Sequence, residues 1–428
     1  MRFLIAALLL AAGSAQGAPA PARPLDPIVQ AGDLWEAAPA GLKPDLGFRW
    51  TSAAREAIQT MAPGLSLFGV PVTAAVLRFQ AGKPKEIDIL FYDRGDNGDL
   101  SRDDFDALLK KCEDAVSAFS KTTPAPRSKD AASAVKAEME NWTTPGAKFL
   151  LEYSSIKEVK SRDIPFRAEF IRLAITPVEK PRGLLEEALA SDNKGGFSGP
   201  SHVKKEPSGD VLIEGVPMVD QGRKGYCVVA SAERVLRYYG QKVDQNELAE
   251  IADSSAQRGT SFSAMFDALK KLTARLRIKT RVEIPFDFET LQALATEYNR
   301  AAKKGRRANE IDIHGPDSDA ASLYREMNFD ILREARAKKP SELERFRKLV
   351  ENRVDEGIPL LWSCMVGLAP ETPPIHGFGG HMRLIIGYNE NAKEILYSDS
   401  WGPGHELKRM PAADAWAITT GVSTIAPL

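Results

Sequence analysis

Gln221 and Cys227 stand six residues apart with Gly222 and Gly225 between them, and the cysteine opens an apolar run that reads as a helix. Thiol chemistry needs a thiolate, and the unpaired N–H groups and macrodipole of a helix N-terminus stabilise one. An upstream glutamine supplies a neutral amide donor for an oxyanion. One short segment therefore offers a nucleophile, its activation and half of an oxyanion hole. A buried structural cysteine at a helix start is the alternative reading of the same residues.

Thiol catalysis also needs a base that reaches the sulfur and a group that orients the base. The chain has five histidines: His202, His314, His376, His381 and His405. His202 lies in a polar stretch, His314 and His376 in Gly/Pro loops, and His405 just after Gly402-Pro403-Gly404. His381 differs: Gly379-Gly380 precede it and an apolar strand pattern follows it, so a rigid element can aim its side chain. Asn389-Glu390-Asn391 then reads as a turn and residues 394–400 as the next strand. A hairpin centred on Glu390 places Asp399 directly opposite His381, on one face of the sheet. A register shifted by one residue would put Asp399 on the other face.

Taken together, Gln221, Cys227, Gly380-His381 leading into a strand with Gly387-Tyr388, and Asp399-Ser400-Trp401-Gly402 resemble the papain-like cysteine peptidases. Gly215-Val216-Pro217 before the glutamine and the run 235–240 after the cysteine resemble the bacterial branch related to bacteriocin leader-processing (double-glycine) peptidases. The resemblance covers residues 211–428, with 288–355 unmatched. It implies Gln221 as the oxyanion-hole side chain, Cys227 as the nucleophile, His381 as general base and acid, and Asp399 as the orienting residue. Papain carries asparagine at the last position, so this chain departs there. An inactive relative and a transglutaminase-like acyl transferase are the rival classes.

The elements that must carry these residues are legible in outline. The chain has 428 residues, a length that suits two domains. Residues 25–190 read as an N-terminal α+β domain, with strands at 74–80, 86–92, 147–153 and 167–176 and a helix at 103–120. Its role is open between propeptide, inhibitor and substrate adaptor. Residues 191–210, rich in Gly, Ser, Lys and Pro, read as a linker. Residues 211–428 read as helices first (227–239, 245–253, 261–276), a charged helical middle, then antiparallel strands (358–366, 382–388, 394–400). Both regions are α+β.

Met1-Arg2, a short apolar run and Ala15-Gln16-Gly17 form a secretory signal-peptide pattern over residues 1–17, with cleavage near Gly17/Ala18 and a secreted or periplasmic product. No other run approaches the length of a membrane span. A net charge of -1 gives no global attraction to nucleic acid. Cys112 and Cys364 sit in apolar patterns and read as structural. No metal or organic cofactor is implied, and the expected partner is a peptide or protein substrate. Asp93 to Asp104 has acidic and amide groups near calcium-loop spacing, but Gly95 replaces a ligand, and an Asp/Gly turn followed by a helix cap at Ser101 is the favoured reading.

Overall fold

A computed structural model of the protein describes residues 21–37, 44–129, 135, 137–159, 161, 163–178, 197–222, 225–241, 243–254, 262–285, 287–305, 310–312, 320–375 and 377–428. The signal-peptide pattern, His314, His376 and residues 191–196 lie outside these.

The first region is β-rich. Long alternating runs such as Lys83–Asp93, Ala147–Ile156 and Arg167–Pro177 pair antiparallel in an eight-stranded sheet. Alternation gives the sheet two different faces. Ile87, Ile89, Leu151, Leu173 and Ile175 point into a core that the helix Arg102–Ser120 closes with Phe105, Leu109, Cys112 and Val116, spaced at one helical stripe. Burying each such side chain contributes about 1.5–3 kcal/mol. Ser101 caps this helix by accepting from Asp104 N at 3.1 Å. The opposite face carries Asp88, Glu152 and Arg172 and turns toward the second region.

The second region has its own core and the helix-then-sheet order read from the sequence. The helix Cys227–Tyr238 comes first, then Gln245–Ile251 and Phe262–Lys271. The charged middle holds Phe288–Gly305, Ala320–Glu326, Phe329–Ala337 and Pro340–Asp355. The central strands Gly379–Asn389 and Leu360–Val366 are near-continuously apolar because helices cover both of their faces.

Two expectations are corrected. From Phe197 onward the segment read as a linker is part of the second region. Phe197 stacks on His202 at 5.0 Å, and Val203–Lys205 pairs with Asp210–Ile213 at the sheet edge. Two lysines on a three-residue strand suit an edge, and they also hide it from an apolar pattern search. The second correction is to the His381–Asp399 hairpin. The strands Gly379–Asn389 and Glu394–Ser398 start with Asn389 opposite Glu394, and a bulge between Ile385 and Gly387 then shifts them to Leu384 opposite Ser398. Continued past Ser398, this register places Arg383, not His381, across from Asp399. Without the bulge Asp399 would face the wrong side of the sheet; the extra residue restores the parity and makes His381 its diagonal neighbour.

Candidate active site

Cys227 is the first residue of its helix, and Tyr226 at the N-cap makes no side-chain capping bond. Helix N-termini leave several N–H groups without intrahelical partners. Here the Val228 N–H of the helix start and the Met382 N–H of the neighbouring strand both favour the Cys227 thiolate. The helix lies against the strand that carries His381, with Ser231 Oγ donating to Met382 O at 3.4 Å.

His381 is 7% exposed and hydrogen-bonds both partners of a relay. Its Nε2 meets Asp399 Oδ1, so the nitrogen left for the Cys227 thiol is Nδ1. Trp401 stacks flat on the imidazole, 4.2 Å between centroids and 16° between planes, which shields the ring and restricts its rotation. Gln221 joins from the loop before the helix. Its backbone N donates to Ser400 O at 2.9 Å and its Oε1 accepts from Ser400 Oγ at 2.6 Å, which orients the amide with its nitrogen as the opposite, donating end. Three consecutive residues thus make three contacts: Asp399 holds the imidazole of His381, Ser400 holds the Gln221 amide and Trp401 covers the imidazole. The structure brings together all four candidates, Gln221, Cys227, His381 and Asp399. Among the other histidines, His202 stacks on Phe197, and His405 stands edge-on to Trp401.

Residues 213–424 match the model of the Peptidase_C39 like family. The match points to a cysteine peptidase of the wider papain-like kind in the C-terminal region, after the β-rich one. No curated protein matches the chain.

Two buried arginines of this peptidase-like region were not singled out in the sequence. Arg234, two turns beyond Cys227 on its helix, donates to Pro217 O at 2.7 Å, to Asp399 O at 2.9 Å and to Ser398 Oγ at 2.6 Å. It ties the glutamine loop and the aspartate to the helix that begins at Cys227. Arg383 Nε lies 3.0 Å from Asp399 Oδ2, at an angle too poor for a hydrogen bond, and its Nη2 donates to both oxygens of Glu371 at 3.0 Å. Glu371 also accepts from Tyr397 Oη at 2.6 Å and Lys408 Nζ at 2.9 Å. The charges are desolvated together and offset one another by Coulombic attraction, with Arg383 Nε and Nη1 and Asp399 Oδ2 left without a hydrogen bond. Neither arginine has a local signature: Arg383 is a lone cation in an apolar run, and Arg234 sits beside Glu233 on a helix that also carries Arg237.

Electrostatics favour the charged pair. Burial works against the Cys227 thiolate, but the hydrogen bond and charge of His381, then the two backbone N–H groups, outweigh it and hold the thiol below its ordinary value. Burial also works against the imidazolium, but Asp399, and after it Cys227, raise His381 from 6.5 to about 9. Asp399 is held below the usual carboxylate value: burial opposes this, and His381, Arg383 and Lys408 prevail. The two titrations belong to the pair. The thiolate–imidazolium form grows as pH rises through the lowered thiol value and disappears as His381 deprotonates near 9. The stability that His381 gains from its partners is complete below about 6.5 and is lost as pH rises through about 9. Burial pushes the Cys112 and Cys364 thiols up to about 12. Iodoacetamide near neutral pH is therefore expected to modify Cys227 first, read by peptide mapping. Earlier modification of Cys112 or Cys364 would show that the activated thiol is misassigned.

Proposed function

We propose that the protein is an exported thiol peptidase that hydrolyses peptide bonds through a thioester acyl-enzyme. The observation that carries this reading is the Cys227–His381–Asp399 relay with the Gln221 amide oriented beside it by Ser400. The Cys227 thiolate attacks the carbonyl carbon of the scissile bond, a C–S bond forms, and charge moves onto the carbonyl oxygen. Gln221 is the side-chain donor to that oxygen, beside the start of the Cys227 helix. The His381 imidazolium gives its proton to the leaving nitrogen, the C–N bond breaks, and an amine and a thioester remain. His381, now neutral, takes a proton from water as the water attacks the thioester. The C–S bond breaks, the acid leaves, and the thiolate–imidazolium pair is restored. Asp399 keeps Nε2 protonated, so that Nδ1 faces the sulfur throughout.

The likeness to leader-processing peptidases rests on flanks that the fold uses structurally. Pro217 O accepts from Arg234, and the run 235–240 ends the nucleophile helix, so these residues speak for the scaffold and leave the substrate class at peptide or protein. The export half of the proposal rests on the pattern of residues 1–17.

Gln221→Ala is the test. Removing one oxyanion donor typically costs about 100- to 1000-fold in turnover. That loss is expected in kcat on a cleavable peptide found from a broad library, using mature protein recovered from the secreted or periplasmic fraction and beginning near Ala18. A wild-type protein with reduced Cys227 that cleaves no peptide in the library would overturn the peptidase reading, and an intact Met1 would overturn export.

A further inference from the structure

The Asp93 turn of the first region meets the residue next to the nucleophile. Tyr226 is 2% exposed, and its ring lies against Gly95 so closely that a Cβ on Gly95 would stand 2.5 Å from both Cζ and Oη of the tyrosine. The phenol is sunk among groups of the first region, with the carboxylates of Asp93, Glu169 and Asp96 and the guanidinium of Arg94 around it. The turn that presents Gly95 is rigid. Asp93 Oδ1 accepts from Gly95 N at 2.7 Å and Asp96 N at 3.2 Å, Asn97 Oδ1 accepts from Asp93 N and Thr73 Oγ1 at 3.0 Å, and Arg94 Nε donates to Asp99 at 3.0 Å. The acidic and amide groups that resemble a calcium loop are therefore engaged in holding this turn.

The same region touches the site on its other flanks. Met61 packs on Gly222, beside Gln221, where an added Cβ would stand 2.8 Å from Cε. Ala53 N donates to Glu406 Oε1 at 2.9 Å, in the loop that follows Trp401. Arg172 donates to Glu247 at 2.8 Å on the helix next to the nucleophile helix. The contacts therefore fall on the glutamine loop, on the residue preceding the cysteine, and on the loop after the aspartate.

We propose that the first region is a permanent part of the catalytic unit, with Gly95 as a positioning residue that seats Tyr226 and so sets the Cys227 thiol against His381. This rests on the thiol-peptidase reading and answers what residues 25–190 do. A propeptide or inhibitor removed on activation would take this seat of the Tyr226 ring away with it. The argument is mechanical. A Cβ at Gly95 would also stand 2.9 Å from Asp93 Oδ1, which the turn's own hydrogen bonds hold, so the closer clash, with the ring of Tyr226, is the one relieved, and Tyr226 is bonded to Cys227. A misplacement of about 1 Å at a catalytic group can cost about 100-fold in rate.

The experiment uses the full chain carrying Gly95→Ala, with three readouts: the pH profile of Cys227 alkylation by iodoacetamide, kcat and KM on a cleaved peptide, and thermal unfolding. The expected result is about tenfold slower alkylation near pH 6, equal to a rise of about one unit in the thiol's apparent value. The kcat is expected to fall about 100-fold with KM little changed. Tyr226→Leu removes the same contact from the other side and is expected to shift the profile in the same direction. The two substitutions combined are expected to be strongly non-additive, as coupled neighbours are. Tyr226→Leu also keeps the proposal testable where Gly95→Ala does not fold. A wild-type alkylation profile in a folded variant, whatever its melting temperature, overturns the proposal. Additive effects of the two substitutions overturn it as well. The alkylation readout needs no substrate: a shifted profile in a protein that cleaves no peptide would sustain the positioning role while removing the peptidase reading.

Discussion

Cys227→Ala and His381→Ala are each expected to lower kcat by about a million-fold, and the double substitution by little more. Members of a nucleophile–base pair act as one unit, so removing either removes the covalent route. The thiolate exists at neutral pH because His381 stands beside it, and the imidazolium exists because the thiolate and Asp399 face it. The thiolate loses its main support with His381, whereas the imidazolium keeps the larger support of Asp399 when Cys227 is lost but then has no nucleophile to serve. What remains after either change is the binding and oxyanion stabilisation of the Gln221 amide and the helix N-terminus, worth far less. The measurement is kcat on one peptide for the three variants. Multiplicative losses, with the double variant far below either single one, would mean that the two residues act in separate steps. His381→Ala should also slow alkylation of Cys227 near pH 6, since the thiol loses the partner that lowers it.

Asp399→Ala is expected to lower kcat by about 10⁴-fold and to destabilise the fold by about 3–5 kcal/mol, because it disorients the base and leaves a buried cation short of a counter-charge. The second cost comes from Arg383, which lies on the far side of the carboxylate and is fully buried. The same neighbour explains why this chain carries aspartate where papain has asparagine. An amide at this position could keep one oxygen on His381 Nε2, but its nitrogen would then face the Arg383 Nε, donor against donor. Asp399→Asn is therefore expected to retain partial turnover and to lose stability. Its alkaline limit should fall, since His381 loses the negative charge that helps to raise it to about 9. Denaturant unfolding and a pH–rate profile read the two effects separately. Equal loss of turnover in Asp399→Ala and Asp399→Asn would show that orientation through Oδ1 contributes nothing.

Local pattern carried much of the fold. The strand Ala74–Gln80 has the bounds that its alternation suggested, and the helix Arg102–Ser120 differs from its expected start by one residue. The elements that escaped notice are those whose character is tertiary. Thr419–Pro427, rich in threonine and serine, lies between two strands of the second sheet, and Ile278–Ile284 alternates with charges on an edge. Both are held by ladder pairing with distant strands, and burial there overrides weak or misleading composition.

The candidate site divides in the same way. Residue type and short spacing alone determined the thiol at a helix start, the glutamine amide six residues before it, and the histidine placed at the head of an apolar strand, because each of these depends on backbone geometry within a few residues. The tertiary structure decided the rest. A strand's faces alternate with every residue, so whether Asp399 could reach His381 depended on one bulge near Ile386 that resets the parity of the hairpin. A buried charge must find its partner wherever the fold brings one. Arg383 therefore pairs with Asp399 and Glu371, Arg234 reaches Asp399 from 165 positions away, and Gly95 in a different region bears on the residue beside the nucleophile. Such pairings follow from desolvation and close packing, which act on proximity in space and leave no trace in the order of residues along the chain.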